Sequence, residues 1–307
     1  MNTKKTVSPT TYLGQLVQLG GRLILALSHT LIIGVSIWLL LRFYPGDTWR
    51  VVRAGNYFAP WIFILLFPAL IIVAHRQQYR MASWALLLII ILGVPYWPLF
   101  TPTLNQAKAE SHANQLKVMT FNVQYHNRNV EEIKQLIDAE QPDIVAFQEF
   151  TNGLSDTLTP YLIADYPHQA VDKTHSLPLG LMSRYPLTIE PVPTQAGRVQ
   201  WATIETPQGD ISLWNVHLAA PRGQRSWVSQ QQSLTTIRKQ IDQQETPAIV
   251  LGDFNTTPDT EILTIMSDPL IDVHQAVGQG FGFTFPDTDF IAAVPWYFQP
   301  IYLIKPV

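Results

Sequence analysis

The chain has 307 residues, 47% of them hydrophobic and only 14% charged, against about 25% charged in an ordinary soluble domain. It contains no cysteine, which excludes disulfides, thiolate metal sites and cysteine nucleophiles. The net charge of −3 joins two unlike parts: residues 1–100 hold eight Lys/Arg and one acid, Asp47, whereas residues 101–307 hold 12 Lys/Arg and 22 Asp/Glu, a charge of −10 that argues against a surface built to track a nucleic-acid backbone.

Residues 1–100 read as a membrane segment. Three apolar stretches, Leu23 to Leu41, Phe58 to Ala74 and Trp84 to Phe100, contain no Asp, Glu, Lys or Arg. As helices rising 1.5 Å per residue they span roughly 26 to 29 Å, close to the hydrocarbon core of a bilayer. Pro60, Pro68, Pro95 and Pro98 are tolerated in membrane helices, and Trp38, Trp61, Trp84 and Trp97 suit the interfaces. The alternatives are three buried core helices or a signal peptide. The first stretch argues against the latter, being long, lacking an Ala-x-Ala exit and having two successors. Lys4, Lys5, Arg22, Arg76 and Arg80 flank one side, and Arg42, Arg50 and Arg53 the other. That bias puts the N-terminus in the cytoplasm, and three spans then place the remainder outside the cell membrane.

Residues 101–115 are polar and rich in Ala, Asn and Gln, and read as a linker to a globular domain over 116–307. Lys117 to Val123 and Ile211 to Val216 are strand-like. Ile144 to Phe147 and Ala248 to Leu251 are short apolar runs suited to a sheet covered on both faces. Between Val123 and Ile144, Asn129 and Glu132 predict a helix start. Val130, Ile133, Leu136 and Ile137 supply its apolar face, and Pro142 its stop. A second helix is predicted over about 224–243, with Trp227, Leu234, Ile237 and Ile241 on one side. Strands alternating with helices indicate an α/β domain.

Four segments end an apolar run on polar side chains: Thr120-Phe121-Asn122-Val123, Phe147-Gln148-Glu149, Asn215-Val216-His217 and Gly252-Asp253-Phe254-Asn255. Open α/β sheets build their sites at such strand ends. Taken singly, Asn122 also fits a strand cap, Glu149 an exposed turn, His217 a core histidine and Gly252 to Asn255 an ordinary turn. It is their combination, in this order, that points to chemistry.

With these segments, and with Met182-Ser183-Arg184-Tyr185-Pro186, the chain resembles the endonuclease/exonuclease/phosphatase superfamily from about Leu116 to Phe285. With its three apolar stretches it is similar to a membrane-bound bacterial subgroup. The resemblance implies two face-to-face β-sheets flanked by helices, a four-layer sandwich, preceded here by the three-helix membrane segment. It also implies that Asn122 and Glu149 hold a Mg²⁺ ion, with Mn²⁺ as an alternative, since Mg²⁺ takes oxygen ligands and substrate phosphate. His217 would donate to the phosphate, with charge assistance if protonated. Asp253 would orient or deprotonate water, and Asn255 would bind phosphoryl oxygens.

The family pattern continues with an Arg-Ile-Asp-Tyr strand and a later Ser-Asp-His. The closest match to the first is Gln299 to Tyr302, with Ile301 at the aspartate position, and no Asp-His pair follows. The expectation is therefore a domain incomplete at its C-terminus, with a sheet edge left open and a final strand over 287–307 disfavoured by Pro295, Pro300 and Pro306. His175 and His274 are the candidates to replace the histidine. The implied function is a membrane-anchored metal-dependent phosphoesterase, with a catalytically impaired phospholigand-binding or scaffold module as the alternative. The charge of −10 favours a small phosphoester or a lipid head group over DNA, beside a lipid bilayer as partner.

Overall fold

A computed structural model describes residues 9–101, 115–174, 177–220, 222–268, 270–282 and 302–304. Residues 102–114 of the predicted linker and His175 lie outside the described residues, as do all of 283–301, Ile301 included. The chain divides into two compact units, Met1–Trp97 and Pro98–Val307.

In the first unit α1 (Pro9–Phe43), α2 (Arg50–Tyr57), α3 (Ala59–His75) and α4 (Tyr79–Gly93) follow one another. Helix α1 begins well before the first predicted stretch. Past Gly93 the third stretch tightens into a 3-10 helix, Val94–Phe100, where Pro95 and Pro98 each lack a backbone donor. Ile32, Val35, Leu66, Ala69, Val73 and Leu88 pack against one another inside. The outward face is equally apolar, exposing Leu16, Leu27, Ile37, Ile71 and Ile91. A helix apolar all round has no face suited to water. Two helices are long and apolar enough to cross a membrane, Leu13–Phe43 and Tyr79–Phe100, or three if the bent pair of α2 and α3 counts as one span.

The second unit holds two mixed sheets. One contains β1 (Val118–Asn122), β2 (Ile144–Gln148), β3 (His168–Asp172) and β4 (Leu179–Ser183), ordered β1-β2-β4-β3. The other contains β5 (Leu187–Glu190), β6 (Val199–Thr206), β7 (Gly209–His217), β8 (Ala248–Asp253), β9 (Ile271–Asp272) and β10 (Tyr302–Ile304), ordered β5-β6-β7-β8-β10-β9. Each has one parallel pair, β1 with β2 and β7 with β8. Parallel neighbours need a crossover. Helix α5 (Val130–Glu140) provides the first and α7 (Gln224–Asp242) the second, while α6 (Asn152–Leu162) joins β2 to β3.

Three apolar layers hold these elements. Ile133, Ile137, Leu154 and Leu158 cover the outer face of the four-stranded sheet, against Val145, Phe147 and Met182. Ile144, Ala146, Leu181, Ala202, Leu213 and Leu251 fill the space between the sheets. Trp227, Leu234, Ile237 and Ile241 of α7 cover Trp214, Val216 and Val250. The four-layer sandwich is thus present. Strands β2 and β4, covered on both sides, are buried throughout, which explains their unbroken apolar runs.

Local details follow the sequence closely at α5. Asn129 Oδ1 accepts from the Glu132 N–H at 3.2 Å, and the helix stops at Gln141 in the left-handed region. Leu136 departs from expectation. It is 39% exposed because the sheet is met by Ile133 and Ile137. The open edge also needs correcting. Tyr302–Ile304 pairs antiparallel with β8 on one side and β9 on the other. These three residues contain no proline, and Pro295, Pro300 and Pro306 lie outside the described residues.

Candidate active site

The C-terminal ends of the two parallel pairs face each other across the sandwich. Asn122 ends β1 and Glu149 follows β2, in register as Asn122 opposite Gln148. His217 ends β7 opposite Asp253 at the end of β8. One ligand atom each of Glu149, His217 and Asp253 lies within 4.8 Å of the others, a group that could hold a metal ion. His217 Nε2 stands 3.6 Å from Glu149 Oε1 and 3.8 Å from Asp253 Oδ2.

Amide donors fix the two carboxylates. Asn122 Nδ2 donates to Asp253 Oδ2 at 2.9 Å and more weakly to Glu149 Oε1 at 3.4 Å. The Asn122 oxygen accepts the Gln124 N–H, so in this arrangement the side chain presents its nitrogen to the acids and its oxygen to the loop. Glu149 Oε2 accepts from the Tyr125 N–H at 2.8 Å. Asp253 Oδ1 accepts from the Asn255 N–H at 2.8 Å. The Asn255 side-chain amide donates to the Leu218 carbonyl at 3.0 Å and to Asp253 Oδ2 at 3.3 Å. All five residues singled out from sequence therefore converge on one place.

The backbone there is unusual. Glu149, Asn255 and Gln124 all have positive φ, at 57°, 49° and 62°. Such left-handed residues cost of order 1–3 kcal/mol each and are held by surrounding structure. Gly252, at φ 129°, serves another purpose. A Cβ there would lie 2.1 Å from the Val216 carbonyl oxygen, so only glycine lets β8 close on β7 beside the site.

Burial sets the protonation states. The His217 imidazole is pushed down to about 4, chiefly by burial and then by the Arg198 charge, with Glu149 opposing. It is neutral near pH 7, so the charge-assisted contact expected if it were protonated does not arise there. Burial raises Asp253, against the pull of the Asn255 N–H, the Asn122 amide and Arg198. Among the described residues no Lys or Arg forms an ion pair with Glu149 or Asp253.

Some members of the site carried no signal in the sequence. Arg198, just before β6, exerts its charge on Glu149, Asp253 and His217, and its carbonyl accepts the His217 N–H at 2.9 Å. Gln230 of α7 is fully buried and donates to the Ala219 and Asn255 carbonyls, bracing two loops of the site. Gln148 and Asn215 turn away from the site and into the space between the sheets. Gln148 Nε2 donates to Asn215 Oδ1 at 2.7 Å and to Thr120 Oγ1 at 2.9 Å, and Asn215 Nδ2 donates to the Phe147 and Gly180 carbonyls. His274 is set elsewhere, with Nε2 3.0 Å from the Gly280 carbonyl oxygen and its ring against Gly278 and Gly282.

A family model described as "Endonuclease/Exonuclease/phosphatase family" matches residues 119–298. The chain belongs to this family.

Several solved structures are similar to this chain at low identity. Humanized D. rerio TDP2 carrying 14 mutations matches with TM-score 0.51 and 14% identity over 62% of this chain and 83% of its own. The 3′ phosphatase NExo from Neisseria, bound to a product DNA hairpin, matches with TM-score 0.50 and 17% identity over 62% and 87%. The endonuclease/exonuclease/phosphatase from Beutenbergia cavernae gives TM-score 0.47 and 21% identity over 62% of this chain, which spans 64% of that protein. No curated protein matches the sequence.

Proposed function

We propose that the chain is a membrane-anchored phosphoesterase that needs a divalent metal and hydrolyses its substrate by in-line attack of water. The family fold supports phosphoester hydrolysis. The observation that carries the reading is the convergence of Glu149, His217 and Asp253 with the Asn122 and Asn255 amides. The donor set fits a cation: two largely enclosed carboxylates, a neutral imidazole, and no Lys or Arg paired with either acid among the described residues. Enclosed carboxylates without a direct ion pair are costly, Arg198 acts on them only through space, and a metal would offset their charge. Glu149 would hold it, with Asn122 close by, and an oxygen-rich site favours Mg²⁺, Mn²⁺ being the alternative.

When bound, the metal would neutralise charge growing on the phosphoryl oxygens. Asp253, its proton affinity raised by burial, would orient the attacking water and accept its proton at Oδ2. His217 would donate an N–H to a phosphoryl oxygen as a neutral ring. Asn255 would bind phosphoryl oxygens through Nδ2, now occupied by Leu218 and Asp253. The charge of −10 over residues 101–307 favours a small phosphoester or a lipid head group over duplex DNA.

The apolar helices of residues 1–100 would anchor the domain to the inner membrane, and three spans with a cytoplasmic N-terminus would place it outside. The reading is tested on the purified full chain with bis(p-nitrophenyl) phosphate and p-nitrophenyl phosphate, in Mg²⁺, in Mn²⁺ and in chelator, with Asp253→Ala as control. Turnover that requires both metal and Asp253 is expected. A folded protein that binds phosphate without turnover in any condition would replace the enzyme with the phospholigand-binding module.

A further inference from the structure

The connection between α1 and α3 is built inside out. Three of its strongly polar residues, Asp47, Arg53 and Asn56, are only 1%, 6% and 0% exposed, while Arg50 is exposed. Two hydrogen bonds link them: Asn56 Nδ2 donates to Asp47 Oδ1 at 2.6 Å, and Arg53 Nη1 donates to the Asp47 carbonyl at 2.9 Å. Four of its large apolar residues do the reverse, with Tyr44 85%, Val51 78%, Phe58 56% and Trp49 55% exposed, while Val52 is buried. Thr48, also exposed, returns its hydroxyl to the Pro45 carbonyl. In water this distribution is unfavourable twice over, leaving apolar surface wet and enclosing charge.

The arrangement is a fixed one. The Trp38 indole of α1 donates to the Val52 carbonyl of α2 at 3.3 Å. Gly55 admits that ring, since a Cβ there would lie 2.2 Å from Trp38 Nε1. Helix α2 meets α3 at 75°. If α3 crosses the bilayer, α2 then runs nearly in the membrane plane. Trp and Tyr gather at the head-group level, where their rings meet lipid and their polar tips meet water, and the exposed Arg50 has the reach to extend to phosphates.

We infer that residues 44–58 form an interfacial element bedded in lipid, with Tyr44, Trp49, Val51 and Phe58 as its lipid-facing surface and the Asp47–Arg53–Asn56 cluster as its polar core. This rests on the membrane reading of residues 1–100 given above. Its occupant is lipid because the surface continues the apolar outer faces of α1 and α3. Arg53 then counts with neither leaflet, leaving Arg42 and Arg50 as the loop's outward charges.

The cysteine-free chain allows a direct test. Single variants Trp49→Cys, Val51→Cys, Leu27→Cys and Gln77→Cys are labelled with a nitroxide and reconstituted in phosphatidylcholine/phosphatidylglycerol nanodiscs. Collision with oxygen, which concentrates in lipid, is compared with collision with a water-soluble nickel(II) chelate. The oxygen-to-nickel ratio at 49 and 51 should match that at 27 and exceed that at 77 by at least roughly ten-fold, because the polar chelate partitions poorly into hydrocarbon. Sites 49 and 51 behaving like 77 while 27 stays lipid-like would overturn the inference alone. Low collision with both reagents would show a protein surface covering this face and overturn it too. A water-like label at 27 would remove the membrane reading itself, and the inference with it.

Discussion

The side-chain amide of Asn122, at the end of β1, donates to the carboxylate of Asp253, at the end of β8, across 2.9 Å and between two different sheets. The two residues are 131 positions apart in the chain. The site is therefore a seam, in which packing of the sheets decides how far Asp253 stands from Glu149.

Replacing Asn122 with alanine removes a hydrogen bond to a charged group, a loss of about 1.5–3 kcal/mol. The expected result is a fall in kcat/KM of roughly 10- to 100-fold with little change in the unfolding midpoint, since the side chain lies at the rim of the inter-sheet core. Steady-state kinetics beside a urea melt checks this. Unchanged turnover would remove Asn122 from the site.

Asn215→Ala should act on stability instead. Asn215 is fully buried, and its loss leaves the Phe147 and Gly180 carbonyls and the Gln148 amide short of partners. A destabilisation of about 2–4 kcal/mol is expected. The stacked Trp201 and Trp214 rings, 4.5 Å apart and both donating to Ser212 Oγ, provide the fluorescence probe of unfolding. A midpoint equal to that of the unsubstituted chain would mean that this network contributes nothing net.

Gly252→Ala should be worse tolerated than any surface change. It combines a left-handed φ with a Cβ placed 2.1 Å from backbone, which a side-chain rotation cannot relieve. The strand pair must shift, at a cost of about 3 kcal/mol or more, and Asp253 moves with it. Loss of soluble, cooperatively folding protein is expected. A crystal structure showing an undisturbed β7–β8 register would contradict the reading.

His217 gives the pH dependence. In metal-free protein its folded value is about 4, against 6.5 when exposed. Between these values the unfolded chain binds the proton and the folded chain does not, so stability is complete above 6.5 and declines as pH falls toward 4. The slope contributed approaches about 1.4 kcal/mol per pH unit at most. Imidazole ¹⁵N shifts measured in chelator should show a neutral ring at pH 5.5. A titration midpoint near 6.5 would refute the burial argument.

Much of this molecule is legible from local chemistry. Unbroken apolar stretches announce helices too greasy for water, because side-chain hydration is decided residue by residue. Asn129 with Glu132, and Gly252 before Asp253, mark a helix start and a strand end through backbone hydrogen bonding and φ alone. The five candidate residues stood out through the combination of four apolar runs, each ending on an acid, an amide or an imidazole, and not through any one run alone.

What could not be read locally depended on pairing. Gln148 and Glu149 are neighbours of similar chemistry, yet one braces the sheets and the other faces the site. Asn215 and His217 divide in the same way, and only the register of β2 against β1, and of β7 against β8, assigns them. Arg198 acts through space on groups far away in the chain, and Leu136 is left in solvent because Ile133 and Ile137 are the residues of α5 that meet the sheet. The inward turn of Asp47, Arg53 and Asn56 likewise requires α1 and α2 to be docked before it can be seen. The sequence by itself determined which residues have the chemistry to bind phosphate or to shun water. The tertiary structure decided which of them meet, because side-chain direction and distance across two packed sheets are properties of pairing and not of any residue alone.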